Sequence, residues 1–212
     1  MLISQLTTNP QFYFAWVISI ILSIVLHELG HGVAAIKLGD RTPIEMGHMT
    51  LNPLTHMGPL SILLACTIGI AWGAMPVNTS RLRGKYADAI VSIAGPAVNV
   101  VLSLLCMTAI VIWIKIAGRP LESNHVASNI LTLLTTMSFL NIALVLLNLI
   151  PVPPLDGSRI LANFSRPYAR MLENPTMQGI LLAVTFGVLL AGGRFIVPIA
   201  NDIMMAYLGL WF

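Results

Sequence analysis

Residues 12–36 read FYFAWVISIILSIVLHELGHGVAAI, and two features of this stretch decide the fold. The first is apolar length. No Asp, Glu, Lys or Arg occurs from Met1 to His27, and the apolar run resumes after Glu28 to end at Lys37. A helix crossing a bilayer needs about 20 mostly apolar residues, so a membrane span is expected over about 12–36. The second is the presence of His27, Glu28 and His31 inside that span. Ionisable groups are expensive at membrane depth and mark function there. Two histidines four apart share one helix face, one turn above the other. Both imidazoles reach a single ion, which suits zinc. Glu28, next to a ligand, is placed to take a proton from a water that such an ion activates.

The whole composition agrees with a membrane chain. Of 212 residues, 57% are hydrophobic and 9% are charged, against about 45–50% and about a quarter in soluble domains. The mean hydropathy is +0.86. An ordinary soluble domain and a disordered chain are both excluded. The net charge is +3, from 11 basic and 8 acidic residues. No basic run is dense enough to grip phosphates, so no nucleic-acid partner is expected. The length suits one membrane-embedded domain over 1–212, without an internal repeat or a domain-separating linker. Cys66 and Cys106 lie in apolar stretches and read as packing residues. Met1 to Pro10 carries no basic segment and no cleavage site follows, so the first span reads as an uncleaved anchor.

Further spans fit about 89–114, 126–150 and 176–192. A last apolar piece, about 195–211, contains Asp202 and reads as a fifth span or an interfacial helix. The stretch 46–80 is ambiguous, because Asn52, Pro53, His56, Gly58, Pro59, Gly69, Gly73 and Pro76 interrupt it. Its apolar part, Leu60 to Met75, has 16 residues, which is short for a crossing. Cytoplasmic loops are enriched in Lys and Arg, so charge arbitrates. If 60–75 does not cross, Lys37, Arg41, Arg81, Arg83, Lys85, Arg159, Arg166 and Arg170 share one side, against Lys115, Arg119 and Arg194 on the other. If it crosses, the eleven divide almost evenly. The expectation is therefore a re-entrant segment, with the larger group in the cytoplasm and the N-terminus outside. The expected fold is an all-α polytopic membrane protein. It is a bundle of about 4–6 transmembrane helices with a re-entrant or β-strand segment after the first helix. Ile44 to Leu51 is the expected edge strand. The catalytic core is expected over about 12–165, and the C-terminal helices over about 176–211.

A zinc site needs at least a third protein ligand. The candidates are His48, His56 and Asp156. Asp156 lies in NLIPVPPLDG, residues 148–157, just past an apolar span. The prolines break the helix there, and broken backbone at membrane depth is tolerated where it is buried in protein or lines a wet cavity. Asp156 is the better placed of the three. Topology checks it independently: with 60–75 re-entrant, the spans bearing His31 and leading to Asp156 end on the same side.

His27-Glu28-Leu29-Gly30-His31 together with Asn148 to Gly157 resembles the site-2 protease family of intramembrane metalloproteases, in its short prokaryotic form without a PDZ domain. Thr50 to His56, Pro76-Val77-Asn78 and Ala94 to Asn99 resemble further motifs of that family, and the likeness covers roughly residues 20–165. It implies one zinc held by His27, His31 and Asp156, and Glu28 as the general base. It also implies a hydrogen-bonding role for Asn148 toward the substrate or a developing oxyanion. The implied activity is cleavage of transmembrane segments of other membrane proteins, in the prokaryotic cell (inner) membrane, with the active site toward the cytoplasmic side. The partners are then that substrate segment and the lipid bilayer. Two departures concern the cavity rather than the chemistry: Met57 follows His56 where many short members place an aspartate before the proline, and 71–76 lacks a common lysine. A catalytically silent relative that binds membrane proteins, and a metal transporter, are the competing classes. Gly95, Pro96 and Asn99 read as helix-packing and interhelical hydrogen-bonding residues. His125 reads as incidental.

Overall fold

Asn9 starts the first long helix, its side chain accepting a hydrogen bond from the Phe12 N–H, with Pro10 at the first helical position. This helix, α1, runs over Pro10–Lys37. Its 28 residues span about 42 Å, enough for a hydrocarbon core of about 30 Å. The computed structural model describes residues 1–117 and 125–212, apart from the side chains of residues 186, 189 and 190. Arg119, counted above among the positive charges, lies with the rest of 118–124 outside the described residues.

The next helix, α2, covers Pro53–Thr67 and is capped by Asn52, which accepts from the Leu54 N–H. It kinks at Gly58, whose φ is +69°, just before Pro59. At 15 residues, or about 22 Å, it is shorter than a bilayer core. The chain then doubles back as an extended strap over residues 70–78. Trp72 exchanges two hydrogen bonds with Ser61 Oγ, at 2.9 and 2.7 Å, and the Ala74 N–H donates to the His56 carbonyl at 2.9 Å.

Four segments of the chain follow as helices before the last one: α3 over Ala87–Ala117, α4 over His125–Asn148, α5 over Asp156–Phe164 and α6 over Arg166–Glu173. The last, α7, covers Pro175–Gly209. Among the described residues α1, α3 and α4 are long and apolar enough to cross a membrane. They pack on one another, with α5 against α3 and α7 against α4. Ile20, Ile24, Met57, Ala65 and Leu140 form the core between α1, α2 and α4. Met107, Ile142, Ala200 and Met204 form the one between α3, α4 and α7. Outward on α3, Val101, Leu105 and Ile112 are exposed, as a lipid-facing surface requires. The all-α membrane fold is thus as expected, and α1 and α4 end together where α3 begins.

Two expectations are corrected. Ile44 to Leu51 is not a strand, and no strand occurs among the described residues. Thr42–Glu45 is a single helical turn begun by Pro43, and Gly47, at φ +69°, reverses the chain so that the His48 N–H donates to the Pro43 carbonyl. A proline without an N–H followed by a left-handed glycine cannot hold an extended ladder. The C-terminal pieces about 176–192 and 195–211 are one continuous helix, α7, with Pro198 in its interior and Asp202 exposed.

Candidate metal centre

The site is assembled from α1, α3 and the loop between α4 and α5. His27 and His31 stand one turn apart on the buried face of α1, with their Nε2 atoms 3.0 Å apart. Asp156 opens α5 and reaches them both, Oδ2 lying 3.2 Å from His27 Nε2 and Oδ1 3.3 Å from His31 Nε2. The loop over 149–155 delivers Asp156 because it is braced from outside: Tyr168 Oη donates to the Pro151 carbonyl at 2.8 Å, and Thr185 Oγ1 donates to the Pro153 carbonyl. Gly157 then presses against the chain just past α4, where a Cβ would collide with the Leu149 carbonyl oxygen.

The other ring nitrogens are engaged by α3. His31 Nδ1 donates to the Val91 carbonyl at 2.7 Å, and His27 Nδ1 donates to Asn99 Oδ1 at 2.9 Å. With Nδ1 protonated, each neutral imidazole turns a bare Nε2 lone pair toward the carboxylate. Asp156 Oδ2 is buried without a hydrogen bond of acceptable geometry. Three acceptor atoms facing one another in a buried space require a cation among them. One ligand atom from each of His27, His31 and Asp156 lies within 4.8 Å of the other two, close enough to share one ion. The donor set fits zinc.

A cavity of about 270 Å³ opens on the cluster. Glu28, Asn148, Arg159 and the strap residues Gly73, Met75 and Val77 line it together with His27, His31 and Asp156. All five residues singled out in the sequence therefore face one space. His48 and His56 do not join it as ligands. Among the described residues, the group able to hold a metal is His27, His31 and Asp156. The His56 ring donates to the Thr50 carbonyl at 2.7 Å and lies 6.1 Å from the His48 ring.

Sequence reasoning missed three supports. Asp40, fully buried just beyond α1, accepts from the Thr42 N–H and Oγ1 at 3.0 and 2.5 Å and from the Asn78 N–H at 2.7 Å, fixing the end of the strap. Burial raises the Asp40 carboxyl, but these hydrogen bonds and Arg81 outweigh it and set it below the usual carboxylate value. Arg159, one turn after Asp156, pairs with Asp88 of α3 at 2.9 Å. Asn99 was legible as an interhelical bonding residue, but not as the partner of His27.

Comparison with known proteins finds relatives of this chain. The family model for Peptidase family M50 matches residues 107–192. The chain is 33% identical to YwhC of Bacillus subtilis (strain 168) over 175 residues, covering 80% of this chain and 78% of that protein. It is 30% identical to Rip2 of Mycolicibacterium smegmatis (strain ATCC 700084 / mc(2)155) over 190 residues, covering 84% and 70%. Both are named as candidate zinc metalloproteases. Zinc metalloprotease MJ0392 of Methanocaldococcus jannaschii is 30% identical over 192 residues, 87% of this chain and 46% of that protein. No solved structure matches. With a His-His-Asp cluster between apolar helices and relatives that share most of its length, the chain belongs to peptidase family M50, the site-2 proteases.

Proposed function

We propose that this membrane protein is an intramembrane zinc endopeptidase that cleaves transmembrane segments of other membrane proteins. In this reading His27, His31 and Asp156 hold one zinc. The observation that carries it is the convergence of three lone-pair donors, close enough to share one ion, in a cavity that Glu28 also lines. When bound, zinc supplies Lewis-acid activation of a water molecule and of the scissile carbonyl. Glu28 takes the proton as the water attacks and passes it to the leaving amine. Asn148, at the end of α4, donates a hydrogen bond to the carbonyl oxygen as charge develops there. Arg41, Arg81, Arg83 and Lys85 follow the ends of α1 and the strap, which supports a cytoplasmic placement of the site in a prokaryotic inner membrane.

A helical substrate hides its carbonyls in i to i−4 hydrogen bonds and must unwind first. Segments with helix-breaking residues are therefore the better substrates. The test is wild type against Glu28→Gln in proteoliposomes, given a poly-leucine span and a Gly/Asn-containing span. Zinc at about one per chain in both proteins is expected, with cleavage by wild type alone and faster on the Gly/Asn span. Equal cleavage by Glu28→Gln overturns the role of Glu28. Wild type that binds zinc but cleaves neither span leaves a silent binding protein, and wild type without zinc overturns the metal reading.

A further inference from the structure

We propose that Asn99 is a positioning residue for the metal: its side-chain carbonyl fixes His27 in the form whose Nε2 is free to ligate. The proposal rests on the reading that His27, His31 and Asp156 hold zinc. Val91, Gly95 and Asn99 are spaced four apart on α3 and so lie on one face. That face meets the two histidines of α1 in order. The Val91 carbonyl accepts from His31 Nδ1, Gly95 leaves room for both Nε2 atoms, and Asn99 Oδ1 accepts from His27 Nδ1.

The two orienting bonds are not equivalent. The one to His31 comes from backbone and survives any substitution. The one to His27 comes from a side chain and depends on residue 99 alone. Asn99 has no exposed surface, and its Nδ2 has no partner. Its placement is therefore set by the single bond it makes, the one to His27. A buried amide with one of its polar atoms unpaired is costly. A residue serving only to fill the α1–α3 contact would be better apolar. Were the amide reversed, Nδ2 would donate to His27 Nδ1, and the ring proton would move to Nε2, where it blocks ligation.

The experiment measures zinc affinity by competition with a chromophoric chelator for wild type, Asn99→Leu and Asn99→Asp, beside the melting temperature of each metal-free protein. Outer partners of ligating histidines typically contribute about 10–100-fold in affinity. Asn99→Leu is expected to lose zinc affinity in that range with little change in melting, and Asn99→Asp, which keeps the acceptor, to retain it. Equal affinity in Asn99→Leu overturns the proposal, as does an equal loss in both variants. Nitrogen-15 histidine spectra of the zinc-loaded wild type give a readout that needs no variant. His27 is expected with a protonated Nδ1 and a metal-bound Nε2, and the reverse assignment overturns the proposal. Wild type that binds no zinc fails the underlying metal reading instead, which separates the two.

Discussion

Gly95 of α3 lies directly against His31: a Cβ built on it would collide with His31 Nε2 and stand 2.6 Å from His27 Nε2. Neither ring can swing away freely, because both Nδ1 atoms are tied to α3 itself. Gly95→Ala therefore forces one imidazole out of the cluster. Overpacking of this kind costs about 1–3 kcal/mol. If the site carries that strain, zinc affinity falls by about tenfold to a hundredfold. Chelator competition measures it, and full affinity in Gly95→Ala would show that the rings have more freedom than their hydrogen bonds imply.

Removing a donor should weigh more than removing its support. Asp156→Asn keeps shape but removes the charge that faces both imidazoles. It is expected to lose more zinc affinity than the about 10–100-fold assigned to an outer partner. His31→Ala should match it. His48→Ala and His56→Ala should hold zinc as wild type does, since neither ring is part of the cluster. Metal content of the four purified variants by mass spectrometry ranks them, and a zinc-free His56→Ala would reopen that histidine as a ligand.

What the sequence disclosed depended on distance along the chain. The α1, α3 and α4 spans are local facts, written as charge-free runs, and the His27–His31 pair needs only helical periodicity. Asp156 was within reach because Pro151, Pro153 and Pro154 break a helix beside it. The His27–Asn99 bond joins residues 72 apart, and the Asp40–Asn78 bond joins residues 38 apart. Such pairs depend on how helices and loops meet, which no local pattern encodes. The misjudged strand at Ile44 to Leu51 has a local cause instead. An edge that could hold an extended peptide was expected there, while Pro43 and Gly47 turn the chain.

Asp40 ties the end of α1 to the strap, and its carboxyl sits below its ordinary value in the folded protein. A folded value lower than the unfolded one means that the unfolded chain binds more protons in acid. The stabilisation is present above the unfolded value of about 3.9 and is lost as pH falls through the lower folded value. Asp40→Asn loses the charge-assisted part of three hydrogen bonds, and about 2 kcal/mol of stability is expected to go with it near neutral pH. Melting of metal-free wild type and variant in detergent checks this. The gap should be widest near neutral pH and close below about pH 4. A gap independent of pH would assign the loss to packing.

Gly73 offers a way to disturb Glu28 without touching a ligand. A Cβ there would lie 2.8 Å from Glu28 Oε1 and 2.7 Å from Ile24 Cγ2. The strap has little room to retreat, since Trp72 is bonded to Ser61 and Ala74 to the His56 carbonyl on either side. Glu28 must therefore yield, and a general base displaced by about 1 Å loses on the order of a hundredfold in rate. Gly73→Ala should reduce cleavage, and Gly73→Val should reduce it further. Zinc content should stay at the wild-type level in both, because the contact falls on Glu28 and not on His27, His31 or Asp156. Cleavage rates in proteoliposomes, read beside metal content, separate the two effects. A parallel fall in zinc and activity would mean that the strap supports the ligands as well as the base.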